Sequence, residues 1–333
     1  MLRLGFPRRL GPPLILAVLA LGTPRPVAAE PGARASVLPV AAPPAAPAPV
    51  PLSANFSRFE LVASATVAVA GATLMLFGTE LFGAPAAGMG PPAASSFDAR
   101  WARRLAISGD RRFLGGVTDV GGIYVWPALP AIVYGLDVAG RFDRGRPFVR
   151  TGELSPHHRL AAYVEAMGLT MFVTGATKSL VGRARPYTEV ALDRPELRRR
   201  SSEDQLSFFS GHSSVAFATG AFVSADVSRA LLRGPLAQAS TSRRVFLGHL
   251  LPAVVGYGVP TLVGISRVID QQHWPSDVLV GALVGGLIGH WAYTRHFDER
   301  GDPRERLALR AAPLVVVHSD GPAVWGMGMS ARF

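Results

Sequence analysis

At 333 residues the chain can hold one large domain or two small ones. With 49% hydrophobic residues, 17% charged residues and a mean hydropathy of +0.27, it is apolar for a protein that folds in water. It has no cysteine, which excludes disulfides and thiol catalysis. The formal charge is +11, but the arginines are scattered through many loops. There is no zinc-ligand spacing, recognition helix or aromatic–basic interleaving, so nucleic acid is not an expected partner. The charge reads either as an arginine-rich composition or as affinity for anionic lipid heads.

Residues 1–29 have the pattern of an export signal. Arg3, Arg8 and Arg9 precede a short apolar core from Leu14 to Leu21, and Val27, Ala28 and Ala29 offer a cleavage site of small residues. An uncleaved anchor is the competing reading, and the apolar core is short for one. Residues 30–55, rich in Ala and Pro, are expected to form a semi-extended linker.

Six apolar stretches follow, near 59–78, 113–137, 160–181, 213–232, 245–265 and 277–294. Most approach the roughly 20 residues that a helix needs to cross a bilayer. Several are rich in Ala and Gly, which suits close helix packing. The expected fold is therefore all-α: a six-helix transmembrane bundle over residues 56–298. A soluble bundle with buried helices is the alternative. Asp119 and Glu165 lie inside two of the runs and are expected to be interior hydrogen-bonding partners. Residues 299–333 form a tail with strand-like composition on both sides of Ser319-Asp320-Gly321-Pro322, which predicts a short β-hairpin.

Three segments carry the chemistry. The first in importance runs from Ser266 to Asp277, between two apolar runs. Arg267 can bind an oxyanion through two parallel N–H donors. His273 can attack a phosphorus atom or shuttle a proton. Asp277, four residues on, is close enough to hold one ring nitrogen of His273 and leave the other free. Pro275 fits the first turn of a helix, which places His273 at a helix mouth. The segment Lys178 to Pro186 supplies Lys178, Arg183 and Arg185, and Lys178 is the single lysine among 34 Lys plus Arg. Arg183 either joins the other cations or faces solvent, and solvent is the expectation. The segment Ser207 to Ser214 supplies Ser210, the flexible Gly211 and His212. In an up-and-down bundle all three segments fall at one end. His157, His158, His249, His290, His296 and His318 have no partner at ligand spacing and read as structural or solvated.

Together these segments resemble the three-part signature of the type 2 phosphatidic acid phosphatase superfamily. That group contains membrane lipid phosphatases, soluble bacterial acid phosphatases and vanadium haloperoxidases. Its pattern is Lys-x6-Arg-Pro, then Pro-Ser-Gly-His, then Ser-Arg-x5-His-x3-Asp. Lys178, Arg185 and Pro186 match the first part; Ser210, Gly211 and His212 match the second, with Phe209 in place of proline; Ser266, Arg267, His273 and Asp277 match the third. The similarity covers about residues 56–296.

The resemblance implies that Lys178, Arg185 and Arg267 neutralise a phosphate, aided by Ser210 and the backbone N–H of Gly211. It implies that His273 becomes a phosphohistidine with Asp277 orienting its ring, and that His212 protonates the leaving oxygen and then activates water. The cations then do the work of a metal ion, and no cofactor is expected. The expected activity is hydrolysis of a lipid phosphate: phosphatidic acid, phosphatidylglycerol phosphate or a polyprenyl diphosphate. A soluble-type periplasmic acid phosphatase, a vanadate-dependent haloperoxidase and a degenerate lipid-binding site are the alternatives. The expected location is a bacterial cell envelope, in the inner membrane with the site facing the periplasm. A cleaved export signal followed by three crossings puts the site in the cytoplasm, whereas a first run that lies on the surface turns it outward. Arginines in loops on both sides do not decide between these.

Overall fold

The computed structural model describes residues 56, 58–82, 88–106, 115–139, 156–193, 203–304, 308–316 and 324–332. The export signal and linker expected over residues 1–55 lie outside them, as does the turn at Ser319–Pro322. In chain order the helices are α1 (Arg58–Phe82), α2 (Phe97–Leu105) and α3 (Gly115–Val120). A π-helical turn, Gly121–Val125, leads from α3 into α4 (Trp126–Val138). Then come α5 (Pro156–Val181), α6 (Pro186–Asp193) and α7 (Gly211–Arg233). The turn α8 (Thr241–Arg243) continues through a π-helical stretch, Arg244–Leu250, into α9 (Leu251–Ile269), and α10 is Pro275–His296. Strands β1 (Ala308–Val316) and β2 (Val324–Arg332) pair antiparallel, Ala308 opposite Arg332 and Val316 opposite Val324.

The described part of the chain is mostly helical. Four helical stretches in it are long and apolar enough to cross a membrane: Phe59–Leu81, His157–Glu189, Gly211–Arg233 and Thr241–Ile269. The outer surfaces of these stretches and of α10 decide between a soluble bundle and a membrane protein. On α10, Leu279, Leu283 and Leu287 form a row at four-residue spacing and are 60%, 62% and 60% exposed. Phe59, Val62, Val69 and Leu76 on α1, and Val254, Val255 and Leu262 on α9, are exposed in the same way. A soluble protein rarely leaves apolar rows of this extent in water. Lipid tails remove that cost, and the chain is a membrane protein.

Small residues set how closely the helices approach. A Cβ on Gly285 of α10 would lie 1.9 Å from the Ser214 carbonyl oxygen of α7, and one on Gly289 would lie 2.2 Å from that of Ala218. Gly281, one turn earlier, faces the Ser210 carbonyl. This small-x3-small seam lets the backbones of α7 and α10 touch. It also brings the start of α7 and the start of α10 to the same end of the bundle. Helix α1 packs parallel to α5: Ala68 lies beside Gly168, Leu74 beside Gly175 and Gly78 beside Ser179. The first apolar run is therefore a packed member of the bundle along most of its length, not a helix lying apart on the surface.

The other end of the bundle is a rigid aromatic core. Tyr163 and Tyr293 each meet Phe222 edge-on, with ring centroids 5.3 Å apart. The Tyr163 hydroxyl donates to the Pro127 carbonyl at 2.7 Å. Arg159 pairs with Asp226 at 3.3 Å, and Glu165 pairs with His296 at 2.5 Å. Glu165 is thus an interior partner at the end away from the three motif segments.

Candidate active site

Helix α9 stops at Ile269 because the next residues turn back on it. Gln271 takes φ 56°, and the N–H groups of Gln272 and His273 both donate to the Arg267 carbonyl, at 3.0 and 3.2 Å. Pro275 then opens α10 with Trp274 as its extended N-cap. His273 therefore sits at a helix mouth, almost fully buried, with Arg267 held one turn away on the same side of the chain.

The His273 ring differs from the sequence expectation in one respect. Its Nδ1 lies 2.7 Å from the Ser207 carbonyl oxygen and 4.0 Å from Asp277. A carbonyl can only accept, so Nδ1 carries the proton and Nε2 keeps its lone pair. Asp277 is the third residue of α10, and its carboxylate turns back to cap the helix. It accepts from the Trp274 N–H at 3.0 Å, the Ser207 hydroxyl at 2.5 Å and Arg183 at 2.5 Å. It holds Ser207, and Ser207 in turn holds the ring. Burial, then the charges of Arg185 and Lys178, keeps the His273 pKa well below 6.5, so the imidazole is neutral at pH 7.

Lys178, Arg185, Gly211, His212, Arg267 and His273 line one cavity of about 560 Å³. The Lys178 ammonium donates to the Leu206 carbonyl at 3.0 Å. Arg185 donates to Gln272 at 2.9 Å and to the Glu203 carboxylate at 2.6 Å. Arg267 is held by Asp119, by the Thr118 hydroxyl at 2.6 Å and by Asp270 at 3.3 Å. His212 Nε2 lies 3.5 Å from Asp119. Gly211 and His212 open the 23-residue helix α7 and both line the cavity, and the start of a helix is a favourable setting for an anion.

Ser210 is placed differently from expectation. It is fully buried, and its hydroxyl caps α7 by accepting the Ser213 N–H at 3.3 Å. It shapes the helix mouth and is not among the residues that line the cavity.

Arg183 also corrects the sequence reading. It does not face solvent: it is 6% exposed and lies over the Trp274 ring. It bridges Asp277 and Asp98, at 2.5 and 2.7 Å. Asp98, from α2, also accepts the Ser276 N–H at 2.8 Å and the Ser276 hydroxyl at 2.6 Å. Burial alone raises the Asp98 pKa, but the bonds from Ser276 and Arg183 outweigh it and hold the carboxyl below 3.8. Asp98, Arg183 and Asp277 thus form a buried clamp joining α2 and two of the motif segments. Nothing in the local sequence marks Asp98 for this. Asp119 carries a signal, since it is an acid inside an apolar run.

A helical membrane bundle that gathers three cations and two histidines around one cavity is built to bind an oxyanion. Residues 159–300, which contain all three motif segments, match the family model of the PAP2 superfamily. It is 33% identical over 150 residues to a PA-phosphatase related-family protein of Dictyostelium discoideum, covering 43% of this chain and 50% of that protein. Over 41 residues it is 51% identical to the lipid A 1-phosphatase of Porphyromonas gingivalis, covering 12% of this chain and 9% of that protein. Among solved structures, a transmembrane PAP2-type phosphatidylglycerolphosphate phosphatase from Bacillus subtilis superposes with a TM-score of 0.40 at 18% identity. That superposition covers 69% of this chain and 93% of the other. Outside the short lipid A 1-phosphatase match, the chain spans about half the length of the curated relatives it matches.

Proposed function

We propose that the chain is a phosphatase acting on a lipid phosphate, such as phosphatidic acid, phosphatidylglycerol phosphate or a polyprenyl diphosphate. The observation that carries this is the make-up of the cavity. It is lined by Lys178, Arg185, Arg267, His212 and His273, by the acids Glu80, Asp119 and Glu203, and by the apolar Leu74, Met75, Leu76, Ile123 and Met171. A phosphate with an attached hydrocarbon chain matches the cations and the apolar lining.

The chemistry follows from the site. Arg267, Arg185 and Lys178 neutralise the phosphate oxygens. The Nε2 lone pair of His273 attacks phosphorus and forms a P–N bond. The P–O bond to the leaving group breaks, its electron pair goes to that oxygen, and His212 supplies the proton. Water then attacks phosphorus and gives a proton to His212. The P–N bond breaks and its electron pair returns to Nε2, which releases phosphate and restores both rings.

Six crossings, by α1, α3–α4, α5, α7, α8–α9 and α10, and a β1–β2 hairpin complete the proposed architecture. We place the site at the periplasmic face of a bacterial inner membrane. Because α1 packs along α5, it crosses with the other helices, and an outward site requires the residues before Arg58 to stay in the cytoplasm. An export signal over residues 1–29 and an outward site therefore exclude each other. The chain has no cysteine, so single cysteines report topology cleanly. In intact cells an impermeant maleimide should label Ser95→Cys, at the site end, and not Ser240→Cys, at the opposite end. The reverse pattern would turn the site inward.

The substrate class is tested with purified, detergent-solubilised full chain and chelator present. Burying about four methylenes at about 0.8 kcal/mol each is worth roughly 3 kcal/mol, or on the order of 10²-fold. The value of kcat/KM for phosphatidic acid should exceed that for a water-soluble alkyl phosphate by about this factor. Equal turnover of the two would remove the lipid assignment. Peroxide-dependent halide oxidation after vanadate loading, without phosphate release, would favour the haloperoxidase alternative.

A further inference from the structure

Beside the cations of the cavity lies a carboxylate to which the chemistry above gives no part. Asp119, at the end of α3, sits on the cavity wall with its side chain about one-third exposed. Its Oδ1 contacts Arg267 Nη1 and lies 3.5 Å from His212 Nε2. The contact with fully buried Arg267 fixes the carboxylate, and the π-helical turn that begins at Gly121 aims the end of α3 at this point. The other charged or titratable groups that line the cavity are Glu80 from α1, Tyr124 from the π-helical turn, Lys178 from α5, Arg185 and Glu203 from the segments after it, Arg267 from α9, and His273. Lys178, Arg185 and Arg267 each oppose a positive charge on the His212 ring. Glu203 is bonded to Arg185. Asp119 Oδ1, by contrast, lies within ion-pair reach of His212 and favours that charge.

We propose that Asp119 is the partner carboxylate of His212, which orients its imidazole and favours the protonated form that delivers a proton to the leaving oxygen. The assignment rests on the phosphatase reading. In the first step the Nε2–H of His212 faces Asp119 and the proton on Nδ1 passes to the leaving oxygen as the P–O bond breaks. In the second step Nδ1 takes a proton from the attacking water. Asp119 touches no reacting atom and is a positioning residue, which acts through the charge and orientation of His212.

A leaving group's need for a proton depends on its basicity, and that separates this role from a structural one. General acid catalysis is worth about 10²–10⁴-fold when the leaving oxygen is strongly basic and little when it is not. The test compares an alkyl or lipid phosphate with an aryl phosphate whose phenol is acidic, in wild type, Asp119→Asn, His212→Ala and the double variant. Asp119→Asn should lower kcat/KM by about 10²-fold on the alkyl ester and by less than about tenfold on the aryl ester. The double variant should be no slower than His212→Ala alone, because the two groups act as one unit. Asp119→Glu should restore part of the alkyl-ester rate.

Inhibition by inorganic phosphate, measured on the aryl ester, reports whether the cations are still in place. It should stay within a few-fold of wild type in Asp119→Asn. Equal losses on both esters, additive losses in the double variant, or loss of phosphate inhibition would each overturn the proposal, because each makes Asp119 a support for Arg267. Failure of the wild type to release phosphate from either ester would overturn the phosphatase reading, and this one with it.

Discussion

Replacing His273 by alanine is expected to lower phosphate release from every substrate by at least about 10³-fold, because it removes the group that forms the covalent intermediate and His212 is engaged in proton transfer. Phosphate inhibition should survive, since Lys178, Arg185 and Arg267 are bound to Leu206, Glu203 and Asp119 rather than to the ring. Nδ1 is held by the Ser207 carbonyl, which leaves the Nε2 lone pair for phosphorus. The depressed pKa adds a pH dependence with a definite sign. The neutral, nucleophilic ring persists below pH 6.5, so the acid limb of kcat/KM that it controls lies below that value. For stability, a buried ring that resists protonation is favourable above its unfolded-state pKa. That contribution falls away as pH drops below about 6.5 toward the lower folded value. Residual lipid phosphatase activity within about tenfold of wild type in His273→Ala would remove His273 as the nucleophile.

Replacing Arg183 by alanine is expected to cost about 3–5 kcal/mol of stability, because it strands two acids inside the protein. Asp277 is completely buried and Asp98 nearly so, and Arg183 bonds both. Thermal unfolding in detergent should fall by on the order of 10 °C. Arg183→Lys should recover little, since one ammonium cannot reproduce a guanidinium that spans two carboxylates and lies on the Trp274 ring. Adding Asp98→Asn to Arg183→Ala should recover part of the loss, because it removes one of the stranded charges. Arg183→Ala melting within a degree of wild type would show that the clamp does not hold the site together.

The parts of the site legible in the sequence were those that lie within a dozen residues of one another. The spacing from Arg267 to Asp277 already encodes a turn, a proline-started helix and a histidine between them, and the structure has that arrangement. The sequence also showed that Lys178, Arg185 and His212 lie near the ends of apolar runs that can meet. Spacing could not show which groups bond across long separations. Asp277 is four residues from His273, yet Arg183, Ser207 and the Trp274 N–H take its oxygens. Asp98 joins the clamp across 85 residues to Arg183. Asp119 reaches Arg267 across 148 residues. On the strength of the resemblance Ser210 is expected to aid phosphate binding, but a serine just before a helix is also well suited to cap it. The glycine seam between α7 and α10 was visible as composition. Its role in bringing two motif segments to one end needed the packing itself.

The most direct test of the two-step chemistry is the stereochemical course at phosphorus, read with a substrate whose phosphate is chiral through oxygen isotopes and sulfur. Attack by His273 and then by water inverts phosphorus twice, so overall retention of configuration is expected. Overall inversion would mean that water attacks the substrate directly, and would contradict a phosphohistidine on His273.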